Sequence, residues 1–82
     1  MNWTFRIGPH DFDTIAALPA EAQSALDGVI DVLELDPYLA TGPFGEDDGV
    51  TRITSFGTWG TLILLVNPRT QRITPLSTVW AG

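Results

Sequence analysis

The stretch GTWGTLILLVNPRTQRITPL, residues 57–76, decides the fold. TLILLV (61–66) is apolar on both faces, which reads as a central strand. Asn67-Pro68 follows, placing Asn and Pro at the first and second positions of a tight turn. QRITPLSTVW (71–80) then reads as a second strand. Pro75 has no N–H to donate, so this strand is expected at an edge or bulged at that point. Just upstream, VTRITSF (50–56) is another strand, and Gly57 to Gly60 form a turn that carries Trp59. Strands joined by such short turns pair antiparallel.

Towards the N-terminus the pattern changes. NWTFRIG (2–8) alternates, with Trp3, Phe5 and Ile7 on one side, as in a half-buried strand that Gly8-Pro9 ends. HDFDTIAAL (10–18) reads as a short helix with Asp11 or Asp13 to cap its free amides. Phe12, Ile15, Ala16 and Leu18 share its apolar face. Pro19 opens a second helix, in which Ala22, Leu26, Val29, Ile30 and Leu33 form one apolar stripe. Gly28 costs that helix about 1 kcal/mol relative to Ala and leaves room for another element to approach closely. Asp36-Pro37 stops the helix. Glu34 and Asp36 sit at the negative end of its dipole, an unfavourable place that a basic partner would account for. Residues 37–49, PYLATGPFGEDDG, read as a loop with three consecutive acids. The order is β-α-α-β-β-β, an α+β two-layer domain spanning 1–82. An antiparallel sheet of three or four strands is expected to pack on a helical hairpin.

Composition narrows the chemistry. The 82 residues include ten acids, four arginines, no lysine and no cysteine, for a net charge of −6. Without cysteine there is no disulfide, thiolate nucleophile, zinc–thiolate site or iron–sulfur ligation. Four arginines build only a small basic face, so direct nucleic-acid binding is expected to be weak or absent. The acidity suits solubility and a basic partner. So short a chain buries a thin core, and a partner or a dimer would add stability. MNWTFRIGPHDFD has no apolar signal core, and LILLV is too short to cross a bilayer, so the expected compartment is the cytoplasm, with no membrane contact.

The succession of elements resembles a known family. A first strand and short helix lead to Leu18-Pro19, then a long amphipathic helix ends in Asp36-Pro37. A glycine-containing loop, Thr51-Arg52-Ile53, the LILLV strand, a turn and a last strand complete the series. This order, over nearly the whole chain, is similar to that of the RelE/ParE toxin superfamily of bacterial type II toxin–antitoxin systems. The resemblance implies a small two-layer α+β fold and a cognate antitoxin. It also implies a target at the ribosome, where RelE-like members cut mRNA, or gyrase, which ParE-like members poison. The RNA-cutting members use arginines or lysines on the sheet face and a His or Tyr near the C-terminus. Arg52 matches the family's arginine before the central strands. The second arginine falls at Gly60 or Thr61, and the His/Tyr position near Thr78–Trp80, where only Trp80 is aromatic. The catalytic candidates carried over are therefore Arg52, Arg72 and Trp80.

RNA cleavage needs a base for the 2′-OH, cations for the phosphorane and an acid for the leaving group. Arg52, Arg69 and Arg72 supply charge, but an arginine stays protonated and makes a poor base. The plainer reading pairs Arg52 with Glu46–Asp48 and leaves Arg69 and Arg72 solvated at a turn. His10-Asp11-Phe12-Asp13 does not converge as a metal site, and capping explains its acids. Glu46-Asp47-Asp48 lacks the spacing of a calcium loop. No metal or cofactor is expected. Trp59 and Trp80, with Tyr38 and Phe44, are either core or an exposed patch that anchors a partner. With Glu34 and Asp36, the two tryptophans are the partner-binding candidates. The functional reading is a RelE/ParE-like toxin component that acts on or through a protein partner, with the nuclease residues largely absent. The alternatives are a non-toxic interaction or regulatory module on the same fold, and a ribosome-dependent mRNA endonuclease.

Overall fold

The computed structural model describes residues 3–45 and 49–82. It consists of β1 (Thr4–Phe5), α1 (Pro9–Ala16), α2 (Ala20–Leu35), α3 (Pro37–Ala40), β2 (Gly42–Pro43), β3 (Thr51–Phe56), β4 (Gly60–Asn67) and β5 (Arg72–Trp80). The strands form one sheet in the order β1-β5-β4-β3-β2. Its centre is the antiparallel β3-β4-β5 series expected from residues 50–80. The two-residue strands β1 and β2 extend it at the edges.

β1 differs from an antiparallel scheme: it runs parallel to β5, with Thr4 opposite Arg72 and Phe5 opposite Ile73. A parallel neighbour requires a crossover, and here the whole helical layer provides it. The chain leaves one edge of the sheet at β1, crosses a face as α1, α2 and α3, and rejoins the opposite edge as β2. The ladder at residues 2–8 is shorter than the alternation suggested. The alternation still holds, because Trp3 and Phe5 pack against the core.

That core lies between α2 and one face of the sheet. Ala22, Leu26 and Leu33 meet Leu62, Leu64, Val66, Phe56 and Ile73, all essentially inaccessible to solvent. Ile15 and Leu18 close it from the α1 side, whereas Phe12 points outward. The Gln23 side chain ties the two helices together by donating to the carbonyls of Ala16 (3.2 Å) and Leu18 (2.9 Å). Neither Asp11 nor Asp13 caps α1 with its side chain. Gly8 is the N-cap and Pro9, already fixed in φ, opens the first turn.

Asp36 is the N-cap of α3: its Oδ1 accepts from the amides of Tyr38 (3.0 Å) and Leu39 (3.4 Å), and Pro37 follows at the first position. Its position at the end of α2 is thus the start of another helix. Glu34 stitches β1 to the helical layer, its carbonyl accepting from Trp3 N (2.8 Å) and its Oε2 from Phe5 N (3.3 Å). Further on, the register of β4 and β5 slips between Ile63 and Leu64, so that Ser77 and Pro75 are partners and Leu76 is the extra residue. The bulge falls where Pro75 has no N–H to give.

Candidate functional site

The helices cover only one face of the sheet. LILLV is apolar on both sides, yet burial alternates along β4: Gly60, Leu62, Leu64 and Val66 are buried, and Thr61, Ile63, Leu65 and Asn67 are not. Residues directly opposite across an antiparallel pair share a face, so the register fixes what the open face displays. It is four rows: Ser55–Thr61–Val79, Ile53–Ile63–Ser77, Thr51–Leu65–Thr74 and Asn67–Arg72. Branched apolar side chains alternate with hydroxyls. A shallow depression of about 460 Å³ ends the face near the β4–β5 turn, with Arg72, Thr70, Thr74, Asn67 and Leu65 among its lining. The turn itself is shaped by Asn67, whose Oδ1 accepts from the amides of Arg69 (3.0 Å) and Thr70 (3.4 Å).

Charge is divided between the layers. Seven of the ten acids fall between residues 11 and 36, in and around α1 and α2, and the other three at 46–48. Residues 49–82, which contain all three long strands, hold three arginines and no acid. Residues 49–82 by themselves are thus positive within a chain of net charge −6. The open face carries no carboxylate, imidazole, phenol or amine. Arg72 is the one ionisable side chain in the rows of β3, β4 and β5, and the exposed Arg6, just past β1, is a second guanidinium at the same edge.

The three residues carried over as catalytic are not brought together. Arg52 stands opposite the buried Leu64 and so faces the helical side. Its Nε donates to Thr41 Oγ1 and its Nη2 to the Thr41 carbonyl, both at 2.9 Å, and its guanidinium lies 5.3 Å from the centre of the Tyr38 ring. Arg52 therefore holds the α3–β2 connection onto β3. The acids proposed as its partners, Glu46–Asp48, lie outside the described residues. Arg72 is on the open face at the opposite end of the sheet from Trp80. The pairings Arg72–Asn67 and Trp80–Gly60 separate them by about 23 Å at the usual strand rise.

The partner-binding candidates divide in the same way. Trp80 stacks on the buried Phe56, with ring centres 5.7 Å apart and planes inclined by 27°. Trp59 is exposed on the β3–β4 turn, and its carbonyl accepts from Ala81 N at 2.9 Å. Glu34 and Asp36 hold backbone amides of their own chain. Ile53, Ile63 and Leu65 were missed, because an apolar run alone does not say how many faces are covered. The alternating Thr and Ser of the flanking strands was the available signal. Among the described residues, no three His, Asp or Glu side chains are grouped to hold a metal ion. No helix there is long and apolar enough to cross a membrane.

Neither a protein-family model nor a curated protein sequence matches the chain. A chain in the crystal structure of the toxin–antitoxin complex RelBE2 from Mycobacterium tuberculosis is similar in structure, with a TM-score of 0.75. The superposition covers 98% of this chain and 99% of that one, at 15% sequence identity. The fold is that of a RelE-like toxin. The face left bare by the helices holds Ile, Leu, Val, Thr and Ser side chains of β3, β4 and β5, with Arg72 at one end.

Proposed function

We propose that this chain is the toxin-like member of a toxin–antitoxin pair and that it acts by protein contact, through the open face of its sheet, in the cytoplasm. The supporting observation is the make-up of that face. Rows of branched apolar side chains and hydroxyls suit a desolvated protein interface. A face without acid or base groups offers no proton transfer to a 2′-OH. The solved complex with this fold is a toxin–antitoxin complex, which supports an antitoxin as the neutralising partner. A protein such as gyrase is the kind of target this reading names.

The test is induction of the chain alone in a bacterial host, with growth followed and cleavage of total mRNA mapped in the same culture. Arrest without cut messages is the expected result. Arrest with cut messages would make the chain an endonuclease working with arginines alone. Normal growth in the presence of folded protein would make it a non-toxic interaction module.

A further inference from the structure

The helix α2 carries a second apolar stripe, on the side turned away from the core. Gly28, Val32 and Leu35 are spaced i, i+4 and i+7, and Leu39 of α3 follows four residues later. Val32 is 50% exposed, Leu35 71% and Leu39 85%. The stripe at Ala22, Leu26 and Leu33 is buried on the sheet, so the outer one is not needed for the fold. Gly28 was expected to admit another element, yet a Cβ built there meets nothing within 4 Å. Among the described residues, no part of this chain fills the notch. Asp27 and Asp31, both exposed, run along one border of the stripe.

We propose that this ridge is the docking surface for an amphipathic helix of a partner chain, one whose small and branched apolar residues seat over Gly28, Val32 and Leu35 while Lys or Arg side chains face Asp27 and Asp31. The charges select the occupant. A second copy packed antiparallel, ridge to ridge, would set Asp27 and Asp31 of both copies on the same side of the seam, and a parallel copy would leave them without a cationic partner. RNA and an anionic membrane are repelled by the same carboxylates. A cationic helix laid into an apolar stripe satisfies both features, and the missing side chain at Gly28 allows the close approach that interlocking helices need. The inference deepens the toxin–antitoxin reading by giving the antitoxin a surface and a chemistry. It leaves the open sheet face uncovered for a target.

The experiment uses a fluorescent helical peptide of about 20 residues, long enough to hold a helix, with leucine and alanine on one stripe and lysine on both flanks. One control replaces the flanks with glutamate, and another replaces the stripe with serine. The lysine-flanked peptide should bind saturably and the controls should not. Leu35→Ser and Gly28→Gln should each weaken binding about tenfold or more, with circular dichroism unchanged. Ile63→Ser, on the open sheet face, should leave it as it was. Wild-type affinity in both ridge variants would overturn the proposal, as would equal binding of either control peptide. So would loss of binding in Ile63→Ser, which would put the occupant on the other layer. Sedimentation showing a dimer of the chain alone that Leu35→Ser dissolves would hand the ridge to a second copy. Peptide binding requires no toxicity, so normal growth on induction would sink the proposed function and leave this result standing.

Discussion

Two glycines show how much the neighbourhood of one residue decides. Gly60 opens β4 directly beside Phe56, where a Cβ would stand 2.6 Å from ring carbons of that buried side chain. The nearest atom of all is the Phe56 backbone oxygen, and the ring itself is stacked on Trp80. Gly60→Ala is therefore expected to cost about 1–3 kcal/mol, the usual range for overpacking. Gly28→Ala meets open space in a helix interior and should gain up to about 1 kcal/mol. Urea unfolding of the two variants should move the midpoint in opposite directions. A shared sign would mean that one of these two environments has been misread. Arg52 supplies a subtler test. Lysine keeps the charge but not the fork that spans Thr41 and faces Tyr38, so Arg52→Lys should lower the thermal midpoint nearly as far as Arg52→Ala. Full stability in Arg52→Lys together with lost growth arrest would assign Arg52 to the target instead.

At the scale of elements, α3 depends on one carboxylate. Asp36→Ala removes the acceptor for two amides and should cost about 1 kcal/mol, with faster hydrogen exchange confined to Tyr38 and Leu39. Uniform loss of protection along α2 would mean that the two helices unfold as one. The same corner shows what the sequence could and could not disclose. The long helix, the β3–β4–β5 series and the bulge at Pro75 are local matters of period and turn chemistry, and they were legible. Asp36-Pro37 was legible as a stop but not as a start, because a four-residue helix has no period to detect. Glu34 looked misplaced because its partner, Phe5 N, lies 29 residues away. The open face was hidden by LILLV itself, since burial on one face or two depends on what else the chain places there. The candidate site was legible only as residue types. That Arg52 and Arg72 face opposite sides of the sheet needed the register.

The whole molecule has two unlike surfaces: an acidic helical side bearing an unmatched apolar ridge, and a sheet side whose described residues are apolar and hydroxyl rows without an acid. If the sheet side meets the target, Ile63→Ser should abolish growth arrest while mRNA stays uncut in both forms, and the protein should remain folded by circular dichroism. Arrest undiminished in Ile63→Ser would move the active surface elsewhere. The topology also bears on the chain's birth. Thr4 pairs with Arg72, so a nascent chain must add 68 further residues, 72 less 4, before its first strand has another strand to pair with. At roughly 5–20 residues per second of translation, that is a wait of about 3–14 s. Throughout it, the apolar residues of the N-terminal half exist without their sheet. A partner that captured α2 in that interval would meet the ridge before the sheet face had been assembled, and a chain of this design would be held from birth rather than bound afterwards.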